Sequence, residues 1–271
     1  MKPILLILGV SVAFWTCTSR PETGNDSVAR EVPPPVDAPV DVSLKPVSMT
    51  YQSHSSSFWK QHDLGRFVVS RGSSEAPEAP LNGFFGTDHY RIQVFFETVK
   101  KDPARPDRYL LTGKTRFRKR IASFSGELLL DSLFVLTDPN LQTELHPDIR
   151  QLEAATGSFH LIESGTADAG SFAGRFGIAL ASTKEGTLRL WNGGSGAPDE
   201  SAGFVFRGNW QPGSSGTGKP FVVAQNFRVI GDRVLTNFSF PDRSRGINPK
   251  YRSLGWDTLM DADEWWNEPA R

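Results

Sequence analysis

Three features of the chain predict a mainly β, antiparallel fold. Short runs alternate apolar and polar residues with period two. Clusters of Gly, Pro, Asn and Asp separate those runs. The aromatic content is dominated by 19 Phe against 3 Met, which suits a pleated core better than a helical bundle. No stretch of twelve or more residues carries a clean helical stripe, Leu141 to Ala155 being the nearest approach. The expected architecture is a curved meander, either barrel-like or a coiled sandwich, with a short C-terminal helix.

In chain order, the alternating runs are Tyr90 to Phe96, Tyr109 to Phe117, Ser158 to Ile162, Thr187 to Trp191, Phe204 to Trp210 and Arg233 to Phe240. Each buries every second side chain if it lies in a sheet with one covered face. Three times a strand is followed by a turn and then by a Phe-x-Gly element leading into a second strand: Phe124-Ser-Gly126, Phe172-Ala-Gly174 and Phe206-Arg-Gly208. Glycine inside a strand sacrifices packing, so its recurrence marks bends that let a sheet curl. The phenylalanine two residues away lies on the same face and covers the bare backbone. Near the end, Thr258-Leu-Met-Asp261 reads as a capping box, with Asp257, Asp263 and Glu264 adding negative charge where a helix dipole favours it. The helix it opens runs through Trp265 and Trp266 and is expected to close one mouth of the barrel.

The N-terminus is of another kind. Lys2 precedes an apolar run, Ile4 to Trp15, and the only cysteine, Cys17, follows at once. The run is too short to span ~30 Å of hydrocarbon and has the form of an export signal. A lone thiol in an exported chain invites wrong disulfides unless it is consumed. Phe14-Trp15-Thr16-Cys17 resembles the lipobox of bacterial lipoproteins. That resemblance implies that Cys17 is diacylated and becomes the first mature residue, with membrane attachment through the lipid. Thr18 after the cysteine resembles the outer-membrane sorting pattern. Residues 18 to 50 carry six of the 19 prolines and no aromatic residue, the composition of an extended tether. The expected division is therefore 1–16 signal peptide, 17–50 lipidated cysteine and tether, and 51–271 a single β-rich domain.

Balanced charge, with 30 basic and 30 acidic residues, gives no global field for nucleic acid. Locally, nine basic residues between Lys100 and Arg120 stand against Asp102 and Asp107, a net +7. Arg116, Arg118, Lys119 and Arg120 cluster at an expected hairpin tip and are candidate contacts for an anionic envelope lipid or glycan. Familiar catalytic patterns are incomplete. Gly213-Ser-Ser-Gly-Thr-Gly218-Lys219 has Pro220 where a phosphate-binding loop needs a hydroxyl residue. Ser57-Phe-Trp-Lys60 lacks the companion tripeptides of the penicillin-interacting enzymes. Gly193-Gly-Ser195-Gly-Ala197 lies between two strands, not at a strand-to-helix turn. The five histidines show no zinc-ligand spacing. No catalytic residue, cofactor or metal ligand is assigned. The expectation is a membrane-anchored exported lipoprotein with a ligand-binding or envelope-structural domain. Two alternatives stand beside it. One is a carrier of an apolar small molecule in a lipocalin-like barrel, with Trp191 and Trp210 as wall residues. The other is a hydrolase of envelope glycan or lipid.

Overall fold

The computed structural model describes residues 49–51, 55–71, 78–137, 147–165, 168–191, 203–214, 216–239, 246–261 and 263–270. Cys17, the tether up to residue 48 and the Ser195 loop lie outside them. All described residues belong to one compact unit, Val36–Arg271.

Ten strands form one antiparallel sheet: β1 (Met49–Tyr51), β2 (Leu81–Phe85), β3 (Tyr90–Lys101), β4 (Arg108–Phe117), β5 (Arg120–Leu136), β6 (Ile149–Ser164), β7 (Gly170–Thr183), β8 (Leu188–Leu190), β9 (Phe204–Pro212) and β10 (Lys219–Ala224). The pairing runs β5-β4-β3-β2-β10-β9-β7-β6 and returns to β5, so eight strands close into a barrel. The curled meander expected from the sequence is thus a closed ring. The closing seam is β10 on β2, with Phe221 opposite Phe85. Three strands outrun the ring. Past it, β5 pairs with β1, β7 pairs with β8, and β6 lies between them.

An eight-stranded ring is just wide enough for side chains to fill. Here the filling is phenylalanine. Phe96, Phe159, Phe172, Phe206 and Phe221 form a chain of ring contacts along the interior, with centroids 4.8 to 5.9 Å apart. The Phe-x-Gly elements explain how the wall curls around them. Gly174 and Gly208 are register partners on β7 and β9. A Cβ on Gly174 would stand 2.1 Å from the Arg207 carbonyl oxygen, and one on Gly208 2.0 Å from that of Ala173. The neighbouring backbone occupies the space a side chain would need, so only glycine fits. Phe124, Phe172 and Phe206 are all buried, as the shared-face argument requires.

Two segments depart from expectation. The described part of Arg233 to Phe240, through Ser239, is not a strand: α3 (Phe227–Val234) ends there, and Asn237 takes a positive φ of 55°. Phe227, Ile230 and Val234 share one helical face and pack on Phe84 and Trp256 outside the barrel. That helical spacing outweighs the shorter alternation beyond it. Likewise, the part of Leu141 to Ala155 that is described, from Ile149, is β6.

The C-terminal segment does not close a mouth. Among the described residues from Thr258 onward, only Trp265–Asn267 is helical, as one 3-10 turn, and Trp265 and Trp266 pack on Phe95 and Ile121. Phe95 lies between inward-facing Val94 and Phe96, so these tryptophans cover the outer wall. The acidic run answers arginines, not a helix dipole. Arg116 holds both carboxylate oxygens of Asp263, and Arg91, buried and lowered to about 10 chiefly by desolvation, donates to the Thr258 hydroxyl at 3.1 Å.

Closure falls instead to the chain's entry. Helices α1 (Ser55–Gln61) and α2 (Gly65–Val68) place Trp59, Leu64 and Val68 in the main core. The Tyr109 hydroxyl accepts from Leu64 N at 3.0 Å, and burial raises that phenol to about 12. Ser70 then clips the chain to β3 by accepting from Phe96 N at 3.0 Å and donating to Phe96 O at 2.9 Å.

Candidate ligand site at the barrel mouth

Among the described residues, no segment plugs the opposite end of the barrel. Its rim is made by the turns joining β2 to β3, β4 to β5, β6 to β7 and β9 to β10. Between them lies a cavity of about 320 Å³, walled by Phe85, Ile92, Phe117, Phe172 and Trp210, with Arg120, Glu163 and Lys219 among its polar residues. The alternation of β6 delivers Glu163 there. Phe159, Leu161 and Glu163 point inward in succession, while His160 and Ile162 are exposed.

A carboxylate on an apolar face needs partners, and Glu163 has them. Its Oε1 accepts from Thr115 Oγ1 at 2.7 Å, and its Oε2 from Trp210 Nε1 at 2.9 Å and Gly170 N at 3.2 Å. An Arg120 nitrogen stands 3.5 Å from Oε2, with the glutamate side chain 5% exposed. Four strands of the ring, β4, β5, β6 and β9, are thereby tied to one carboxylate, and β7 joins through its first residue. Arg120 also donates to Asp168 O at 2.9 Å and lies 3.9 Å from that residue's carboxylate. So bonded, the carboxylate ties the strands of the ring together at the mouth.

The rim cations are held differently. Lys219 Nζ lies 5.7 Å from the centre of the Phe85 ring. Arg118, in a two-residue turn with φ 58°, stacks 4.3 Å from Tyr90 and 5.3 Å from Phe117. Among the described residues, neither has a carboxylate partner.

The expected basic cluster is therefore divided. Arg118 and Lys119 form the exposed β4–β5 tip, Arg120 turns into the mouth, and Arg116 points to the outer wall, bonded to Gln93 and Asp263. Lys114 is likewise committed to the carbonyls of Trp266 and Glu268, both at 2.6 Å. Trp210 is a mouth wall, as expected of a binding residue. Trp191 is not: it packs on Leu136, Leu152, Ala154 and Ala181, away from the cavity. Gly213 and Ser214, from the phosphate-loop look-alike, line the mouth ahead of strand β10. Ser57 and Lys60 lie exposed on α1.

Sequence reasoning missed Glu163. The signal was present: a glutamate on the apolar phase of Ser158-Phe-His-Leu-Ile-Glu163 is a buried charge wherever that strand lines a core.

A larger but shallow groove of about 530 Å³ runs along the outer wall beside Leu110, Gly126 and His160. It is an open saddle with no converging buried polar groups, so the mouth is the better site. The outer wall carries the ion pairs Arg175–Asp131 and Arg108–Glu127. Among the described residues, no group of three or more His, Cys, Asp or Glu is placed to hold a metal ion. No family model matches the chain, and no curated protein or solved structure matches it either.

Proposed function

We propose that the chain is an exported binding module, tethered to a bacterial envelope membrane through Cys17, with its recognition site at the barrel mouth. One observation carries the binding reading: apolar walls and a buried, fully bonded carboxylate converge on an open cavity at one end of an otherwise filled barrel. Pockets of that make-up take small molecules, the apolar walls supplying affinity and the few polar groups orientation. The phenylalanine-filled interior supports a ligand seated in the mouth, not an apolar cargo carried along the barrel axis. The anchor reading rests on Ile4 to Trp15, Cys17 and the proline-rich spacer.

Small-molecule fractions of envelope extract should raise the melting temperature of the wild-type chain. The gain should persist in Leu110→Ala, which alters only the outer groove, and vanish in Phe172→Trp, which fills the mouth. A stabilising fraction that is insensitive to Phe172→Trp but lost in Leu110→Ala would move the site to the wall. For the anchor, labelled fatty acid should enter the wild type and not Cys17→Ser.

A further inference from the structure

Resting on the mouth as the recognition site, we propose that it selects a compact anion with a flat apolar body, the class of small aryl carboxylates and sulfonates. Shape comes first. Phe85 stands at the centre of the wall, with its ring centroid 4.7 Å from Phe117, 5.8 Å from Trp210 and 6.4 Å from Phe172. Such rings offer faces and edges to a flat group. Depth is limited, because Phe172 packs on Phe221 at 4.8 Å and the phenylalanine column continues below. A long acyl chain has nowhere to go, and about 320 Å³ lies at the small end of ligand cavities.

Charge then sets the sign. Asp168 stands at the edge, largely exposed and 3.9 Å from Arg120, while the buried acid, Glu163, is already paired with Thr115, Gly170, Trp210 and Arg120. The cations Lys219 and Arg118 are not. They rest on ring faces, which fixes their position without neutralising them. Lys119 adds a third positive charge on the rim, against Asp88 in the β2–β3 turn. An anionic head seated at Lys219 completes a charge-assisted hydrogen bond beside low-dielectric walls, where such bonds are strongest. A cationic ligand would meet Lys219 and Arg120, with only the exposed Asp168 carboxylate at the edge to receive it.

The test uses three shape-matched probes with the full detergent-solubilised chain: 1-naphthoate, 1-naphthalenemethanol and 1-naphthylmethylammonium. Binding is read from the Trp210 indole N–H resonance. Naphthoate should bind about two- to fivefold more tightly than the alcohol, the range of an ion pair made to an exposed lysine. Lys219→Met should bring naphthoate down to the alcohol's level while leaving the alcohol unchanged. Equal or tighter binding of the alcohol or the ammonium, still read at Trp210, would overturn the anion assignment and leave the mouth as the site. If none of the three moves Trp210 at any concentration, both the assignment and the mouth reading fall.

Discussion

The two ends of this barrel are built from the same alternating strands but finished in opposite ways. At one end the chain's own entry, α1 and α2, inserts Trp59, Leu64 and Val68 and bonds Leu64 N to the Tyr109 hydroxyl. The cavity left there is about 10 Å³, room for one water at most. At the other end the described residues leave about 320 Å³ open above Phe172 and Ile92. The sealed end places its polar atoms in backbone caps. The open end gathers side-chain charge around Glu163. The contrast teaches that stability and recognition are spatially separated here, so substitutions at the two ends should behave differently.

The largest effect belongs to the plug. Trp59→Ala removes a side chain that is 3% exposed and leaves a cavity at the sealed end, so it should cost ~3–5 kcal/mol in chemical denaturation. A cost near 1 kcal/mol would mean that the helices merely lie on the barrel and that the two ends are alike. Trp210→Phe at the mouth should cost far less, ~1 kcal/mol, because it keeps a ring in the wall and deletes one hydrogen bond to Glu163. It should nevertheless weaken probe binding, a separation of effects that Trp59→Ala would not show.

The smallest effect is a pH dependence on the strand extension beyond the plug. Glu153 accepts from Ser182 Oγ at 2.8 Å, but its Oε2 is buried with no hydrogen-bond partner among the described residues, and burial holds its pKa above the ordinary glutamate value. A raised acid binds its proton more tightly folded than unfolded. Its contribution is therefore fully present below the ordinary glutamate pKa and is lost as pH rises through the folded value. Wild type should lose stability over that window while Glu153→Gln stays flatter. Parallel pH profiles for the two would show that Glu153 is ionised without penalty.

Much of the wall was legible in the sequence because alternation and the Phe-x-Gly bends are local signals. Phe124, Phe172 and Phe206 are buried as expected, and the glycines sit where backbones touch. What was not legible depends on pairing across distance. The ring closes through β10 on β2, whose partners are over a hundred residues apart, and no local pattern announces that seam. Trp265 and Trp266 read as a lid but lie on the outer wall, because Phe95 and Ile121 present an apolar patch that only the folded sheet assembles. The basic cluster was visible as charge, yet its division into a committed Arg116, an inward Arg120 and an open Arg118 follows from strand phase and from acids far away in the chain. Glu163 was half legible, by its phase alone.

The tryptophans report on both ends at once. Trp59 marks the plug, Trp210 the mouth, Trp191 the strand extension, and Trp265 and Trp266 the outer wall. An indole N–H spectrum of the chain titrated with the small-molecule fraction that stabilises it tests the account most directly. The account predicts a shift of the Trp210 resonance with those of Trp59, Trp191, Trp265 and Trp266 unmoved. A shift of Trp59 or Trp191 with Trp210 stationary would contradict it and place recognition at the end described here as sealed, or on the extension beyond it.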